Sequence, residues 1–170
     1  MSRFAPRMQS SSFIGRIFGS NEPKATSELD EWLQTTLNSE YKGELERDED
    51  GDFAIRNGSA VVFVHTDNEE PPHIEIFAPL LEDFAMRPEV YEAVNTINRK
   101  TPVAKAIVDP DSKQIVLSAE LYIFDGLSSE LLMATIDLVA ETADHFDTLL
   151  QKRFGGKTFL EDSEDDEFDV

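Results

Sequence analysis

Cysteine is absent from these 170 residues, which excludes a disulfide framework, a thiolate nucleophile and any zinc site built on sulfur. Long apolar runs are absent too. No stretch approaches the roughly 20 apolar residues that span a bilayer, and Arg3, Arg7, Arg16 and interspersed serines break up the N-terminus where a secretion signal would carry an unbroken apolar core. Bases are scarce: 15 Lys and Arg stand against 35 Asp and Glu, for a net charge of −20. A phosphate backbone is bound by neutralising it with Lys and Arg, so a body this acidic repels nucleic acid. These absences lead us to expect a cytoplasmic protein with no membrane span and no nucleic-acid partner.

The residue sets that perform covalent chemistry are equally sparse. The three histidines, His65, His73 and His145, lack the HExxH spacing of a metal hydrolase. Lys157 and Thr158 follow a glycine as at the end of a phosphate loop, but the motif's first glycine would fall on Gln151, and the glycines follow a helix pattern instead of joining a strand to a helix start. No serine sits in a nucleophile-elbow pattern. The acidic run 48–52 suggests a calcium loop, yet alignment on Gly51 puts Asn57 where the bidentate Glu belongs. Turn chemistry explains Asp50-Gly51 better, because both residues tolerate positive φ. No catalytic residue, metal or cofactor is therefore expected. One enzymatic alternative remains open: a hydrolase or metal-binding site that uses His65 and His73, as neighbours on adjacent strands, with nearby carboxylates.

Charge is unevenly placed. Residues 1–24 carry Arg3, Arg7, Arg16 and Lys24 against Glu22, a net of +3, so the remainder must carry −23 to give the total of −20. The excess peaks at the C-terminus, where Glu161, Asp162, Glu164, Asp165, Asp166, Glu167 and Asp169 occur without a base. Such runs stay solvated; this one is a solubilising tail, or a lure for basic clients, or a partner for the basic N-terminus. Within that N-terminus, Phe13, Ile14, Ile17 and Phe18 fall at helical spacing with Arg16 off their face. The run is too short for a stable isolated helix. It is a disordered arm, or a short motif that folds against a partner or against the domain itself.

The organised region is expected to begin at Ser27, as cap of a helix over 28–38 with Leu29, Trp32, Leu33 and Leu37 as its apolar stripe. A weakly alternating strand over 41–47 follows. A strand over 53–56 then turns through Asn57-Gly58 into 60–65, a run apolar on both sides and so covered twice. The next strand covers 73–79, with Leu80, Leu81 and Phe84 in the connection after it. Pro88 suits the first turn of a helix whose buried stripe is Val90, Tyr91, Val94 and Ile97 and which Thr101-Pro102 stops. A hairpin of strands 103–108 and 114–124 comes next, and in the second strand Val116, Ser118, Glu120, Tyr122 and Phe124 share one face. After Ser128 or Ser129 as cap, Leu132, Ile136, Val139, Ala143, Phe146 and Leu150 repeat at helical spacing to Phe154, where Gly155-Gly156 ends the helix.

In this order the phrases DGDFAIR at 50–56, GSAVVFV at 58–64, FAPLL at 77–81, NTINRKTP at 95–102 and RFGG at 153–156 resemble the YbjN-type, type III secretion chaperone-like family, of Tir-chaperone (CesT-like) architecture. The resemblance covers residues 27–160, leaving 1–26 as a basic arm and 161–170 as an acidic tail. It implies a bacterial cytoplasmic α+β domain, helix-strand-strand-strand-helix-strand-strand-helix, with an antiparallel sheet and helices packed on one face. It further implies a non-enzymatic, often dimeric, chaperone-like or adaptor module that binds a protein or peptide client. The residues expected to meet a client or a second subunit are those on the sheet face away from the helices: Phe63, Phe77, Val116, Tyr122 and Phe124. The competing expectation is that these are ordinary core or a permanent dimer interface.

Overall fold

The computed structural model describes residues 28–43, 45–67 and 71–160. Among them are helix α1 (Glu28–Glu40), strands β1 (Phe53–Asn57), β2 (Ala60–Asp67) and β3 (His73–Glu82), helix α2 (Pro88–Lys100), strands β4 (Lys105–Asp109) and β5 (Gln114–Tyr122), and helix α3 (Ser129–Phe154). The five strands form one sheet in the order β1-β2-β3-β5-β4, antiparallel throughout. The expected α+β architecture and its element order are found. Ser27, the arm and the tail lie outside the described residues.

The core forms between the helices and one sheet face. Cross-strand register lines up Phe53, Val64, Ile76 and Ala119 as one row and Ile55 with Val62, and Ala78 and Ala106 with Leu117, as the next. All of these are buried together with Leu33 and Leu37 of α1, Val90, Ala93, Val94 and Ile97 of α2, and Leu132, Ile136, Val139, Ala143 and Leu150 of α3. At 26 residues, α3 runs about 39 Å at 1.5 Å per residue and lies across β1, β2, β3 and β5. Its start is set by Ser128, whose Oγ accepts the Leu131 backbone N–H at 3.2 Å. Its flank is tied to the β1–β2 turn, where Ser59 N donates to Asp144 and the Ser59 hydroxyl shares its one proton between Asp144 and Asp147.

Four local expectations are corrected. Among the described residues of 41–47 there is no strand; a turn follows α1 and Arg47 makes a single bridge to Phe53, its side chain donating to Asp30 Oδ1 at 2.9 Å and Gly51 O at 2.8 Å. Strand β3 continues through Pro79 to Glu82, so Leu80 and Leu81 belong to it. The register shifts between Pro79 and Leu81, and β2 pairs with β3 no further than Phe77, so no ladder donor is needed at the proline. Tyr91 is 51% exposed and Ala93 takes its place on the α2 stripe, as residue 91 lies about 100° around the helix from 90. The 103–108 strand starts at Lys105 and the 114–124 strand ends at Tyr122. The outer edge of β4 is occupied by Asn98, whose amide accepts from Ala106 N at 2.6 Å and donates to Ala106 O at 3.1 Å, a side-chain shield for an edge strand.

Past α3 the chain reverses. Gly155 (φ 71°) caps the helix and Gly156 (φ 85°) follows; Lys157 then exchanges two backbone hydrogen bonds of 2.9 Å with Glu82, beside the end of β3 that β2 leaves open. A Cβ on Gly156 would stand 2.3 Å from the Glu82 carbonyl oxygen. Gly156→Ala is therefore expected to lower stability by roughly 1–3 kcal/mol, from positive φ and backbone clash combined. Equilibrium urea unfolding measures this, and an unchanged midpoint would contradict the close approach.

Candidate functional site

Alternation along the strands sends a second set of side chains to the sheet face opposite α3. From β2 these are Val61, Phe63, His65 and Asp67; from β3, His73, Glu75, Phe77 and Pro79; from β5, Val116, Ser118, Glu120 and Tyr122. This far face is arranged in three bands.

The first band is aromatic and aliphatic. Phe63 and Phe77 are directly opposed in register and stack with ring centroids 5.2 Å apart. Phe159, delivered by the turn at 155–157, meets Phe63 edge-on at 5.3 Å, an arrangement that the ring quadrupoles favour. Register places Val116 opposite Pro79. Phe63, Phe77, Pro79 and Phe159 line a cleft of about 230 Å³ whose remaining wall is Asp48, Asp50 and Asp52. That acidic wall is a turn: the Asp48 carboxylate accepts from the Asp50 and Asp52 backbone N–H groups at 3.1 and 2.8 Å, and Gly51 takes φ 87°, as Asp-Gly chemistry predicts.

The second band is charged and buried. Glu75 is directly opposite His65 in register, and Asp52 lies one step before the Phe53–Val64 pair. His65 is consequently held between two carboxylates on neighbouring strands, Nε2 at 3.0 Å from Glu75 Oε2 and Nδ1 at 3.2 Å from Asp52 Oδ1. Its side chain is 3% exposed. Burial pulls the imidazole pKa down, but the two facing carboxylates outweigh it and the net displacement is upward. With a carboxylate at each ring nitrogen, the imidazolium is the form this geometry accommodates.

The third band, at the other end of β3, is exposed. His73 stacks on Tyr122 at 4.9 Å and Tyr122 on Phe124 at 6.1 Å. Phe124 is 82% exposed. The Tyr122 hydroxyl donates to Glu120 at 2.5 Å, and that hydrogen bond, helped by burial, pushes its pKa up to about 12.

The structure thus unites Phe63 and Phe77, sets Val116 opposite Pro79 of their cleft, and puts Tyr122 and Phe124 in a separate patch; Phe63 is half-buried while Phe77 and Val116 are buried, as the competing expectation of core residues had it. At about 3.4 Å per residue, Phe77 and His73 are some 14 Å apart along β3. His65 and His73 do not meet. Their register partners are Glu75 and Asp67, and no group of three or more His, Asp or Glu side chains among the described residues is arranged to hold a metal ion. Sequence reasoning missed Phe159 and the Asp52–His65–Glu75 trio. Phe159 carries no periodic signal, since its place depends on the reversal after Gly155-Gly156. The trio was foreshadowed only by polar residues inside strands otherwise apolar on both faces.

Comparison with known proteins follows the same line. The family described as "T3SS (YopN, CesT) and YbjN peptide-binding chaperone 1" matches residues 27–162. Among solved structures, the ExsC–ExsE complex contains a chain similar to this one at 18% identity and a TM-score of 0.52, covering 69% of this chain and 96% of its own. The Yersinia pestis type III secretion chaperone SycH, solved with a stable fragment of YscM2, gives 22% identity, a TM-score of 0.49, and coverage of 68% and 97%. No curated protein matches. No helix among the described residues is long and apolar enough to cross a membrane.

The His65 trio predicts a pH window. Because the folded pKa lies above the ordinary histidine value of 6.5, the ion-pair stabilisation is fully present below pH 6.5 and is lost as pH rises through the folded pKa; in that interval the native state binds more protons than the unfolded one, so stability falls with pH. Unfolding free energies measured from pH 6 to 9 are expected to decline more steeply for the natural protein than for His65→Gln. Parallel declines would contradict a protonated His65.

Proposed function

Because this chain belongs to the T3SS (YopN, CesT) and YbjN peptide-binding chaperone family, we propose that it binds a protein or peptide client on the sheet face opposite α3, with half-buried Phe63 as the principal contact, backed by buried Phe77 and Val116, and Tyr122 and Phe124 as a second one. The observation that carries this reading is the aromatic cleft of Phe63, Phe77, Pro79 and Phe159 beside an acidic wall, on a sheet whose other face is filled by helices. Aromatic side chains lining a groove bury client side chains at low conformational cost. The shielded edge of β4 disfavours strand addition there and turns recognition toward the face.

In this reading the protein works by binding, without catalysis, in the cytoplasm. The functional unit is the domain over 27–160, flanked by the arm 1–26 and the tail 161–170; the family match over 27–162 supports that division. A homodimer is compatible with it, and solution mass measurement decides that point independently of the client.

Binding of the full chain to an array of peptides from its own proteome tests the site. Phe63→Ser is expected to weaken captured peptides by about tenfold or more, as loss of a central aromatic contact does, and Phe124→Ser to do so for peptides long enough to reach the second patch. Leu149→Ser, at an exposed position on α3, should leave binding unchanged. Equal losses from Leu149→Ser and Phe63→Ser would move the client to the helical face.

A further inference from the structure

The cleft's lining has a counterpart in this same chain. Its floor is aromatic and its wall is three aspartates; residues 13–18 supply Phe13, Ile14, Ile17 and Phe18 on one helical face and Arg16 off it, in an arm of net charge +3. The fold also brings the start of α1 near the cleft. Helix α1 begins at Glu28, and in its first turn Asp30 Oδ1 accepts from Arg47 Nη2 at 2.9 Å and from Thr66 Oγ1 at 3.1 Å. Arg47 Nη1 in turn donates to Gly51 O at 2.8 Å, inside the acidic wall itself. Helix α1 therefore starts beside the 48–52 turn. The nine residues 19–27 between Phe18 and Glu28 reach about 30 Å when extended and span about 16 Å as a flexible tether, enough to carry the motif from the start of α1 around the β1 edge to the far face.

We propose that residues 13–18 of the arm dock in the Phe63–Phe77–Phe159 cleft, with Arg16 against Asp48 and Asp50, and compete with clients for it. This deepens the reading of the far face as a client site and rests on it. A flexible tether of this length holds the motif at an effective concentration in the millimolar range, so a motif of modest intrinsic affinity keeps the cleft occupied when no client is present and yields to a tighter one. Occupation would also keep an aromatic face from associating with other copies.

The absence of cysteine makes the docking directly measurable in the full chain. Spin labels on Gly15→Cys and Glu49→Cys, the latter exposed and outside the cleft lining, are expected to give one narrow distance component that broadens when Phe13 and Ile17 are both changed to Ser; a distribution broad from the outset, or unaffected by Phe13→Ser/Ile17→Ser, overturns the proposal. Loss of the narrow component on removal of residues 161–170, with Phe13→Ser/Ile17→Ser silent, would place the arm on the acidic tail and also overturns it, as would a distance appearing between singly labelled copies. In a second arm, a fluorescent peptide of residues 11–19 is expected to bind Phe13→Ser/Ile17→Ser protein about tenfold or more tightly than the natural chain, and to lose that gain when Phe63→Ser is added. Equal affinity for the two proteins overturns the proposal. Since this probe is the chain's own segment, docking with no binding to the peptide array would defeat the external-client reading alone, and array binding with no docking would defeat this inference alone.

Discussion

An antiparallel sheet has two faces, and α1 to α3 fill only one of them. The central strands β2, β3 and β5 nonetheless carry large side chains on both: Val62, Val64, Ile76 and Leu117 toward α3, and Phe63, Phe77, Pro79 and Val116 away from it. A surface of that kind in water costs free energy in proportion to its exposed apolar area. The protein's response begins with α3 ending at Gly155, turning, and pairing Lys157 with Glu82 so that Phe159 comes to rest on Phe63. The far face is thereby reduced to a bounded cleft.

The buried trio of Asp52, His65 and Glu75 borders this cleft. A paired buried charge seldom stabilises more than well-packed apolar residues would, but it constrains pairing. A slip of one residue between β2 and β3 would carry His65 and Glu75 into the α3 core and Val64 and Ile76 out of it. The trio is joined covalently to the acidic wall, since Asp52 closes the 48–52 turn, and the same turn is tied through Arg47 to the start of α1. Strand register, cleft wall and the start of α1 are therefore linked through one connected group of polar contacts.

Elements with strong periodicity were legible from the residues. The 26-residue α3, the turns at Asn57-Gly58 and Asp50-Gly51, and the two-sided burial of β2 follow from spacing and turn chemistry, and the quoted phrases carried the family. Where the reading failed, a longer-range contact overrode the local pattern. The alternation in 41–47 lost to Arg47's bonds with Asp30 and Gly51, and Pro79 passed for a strand end because the missing β2 neighbour that tolerates it is a property of the sheet. Within the site, Phe63, Phe77 and Val116 could be assigned to one face by parity along their strands. Their division from Tyr122 and Phe124 by a charged band required the cross-strand register, and Phe159 required the path of the chain after α3. No count along the sequence contains either.

The central claim is that the face opposite α3 receives the client. Hydrogen exchange of the full chain with and without a saturating captured peptide addresses it most directly. The account predicts slowed exchange in β2, β3 and residues 157–160, with the exposed side of α3 unchanged. Protection confined to α3 or to the β4 edge, with β2 and β3 unaltered, would contradict it.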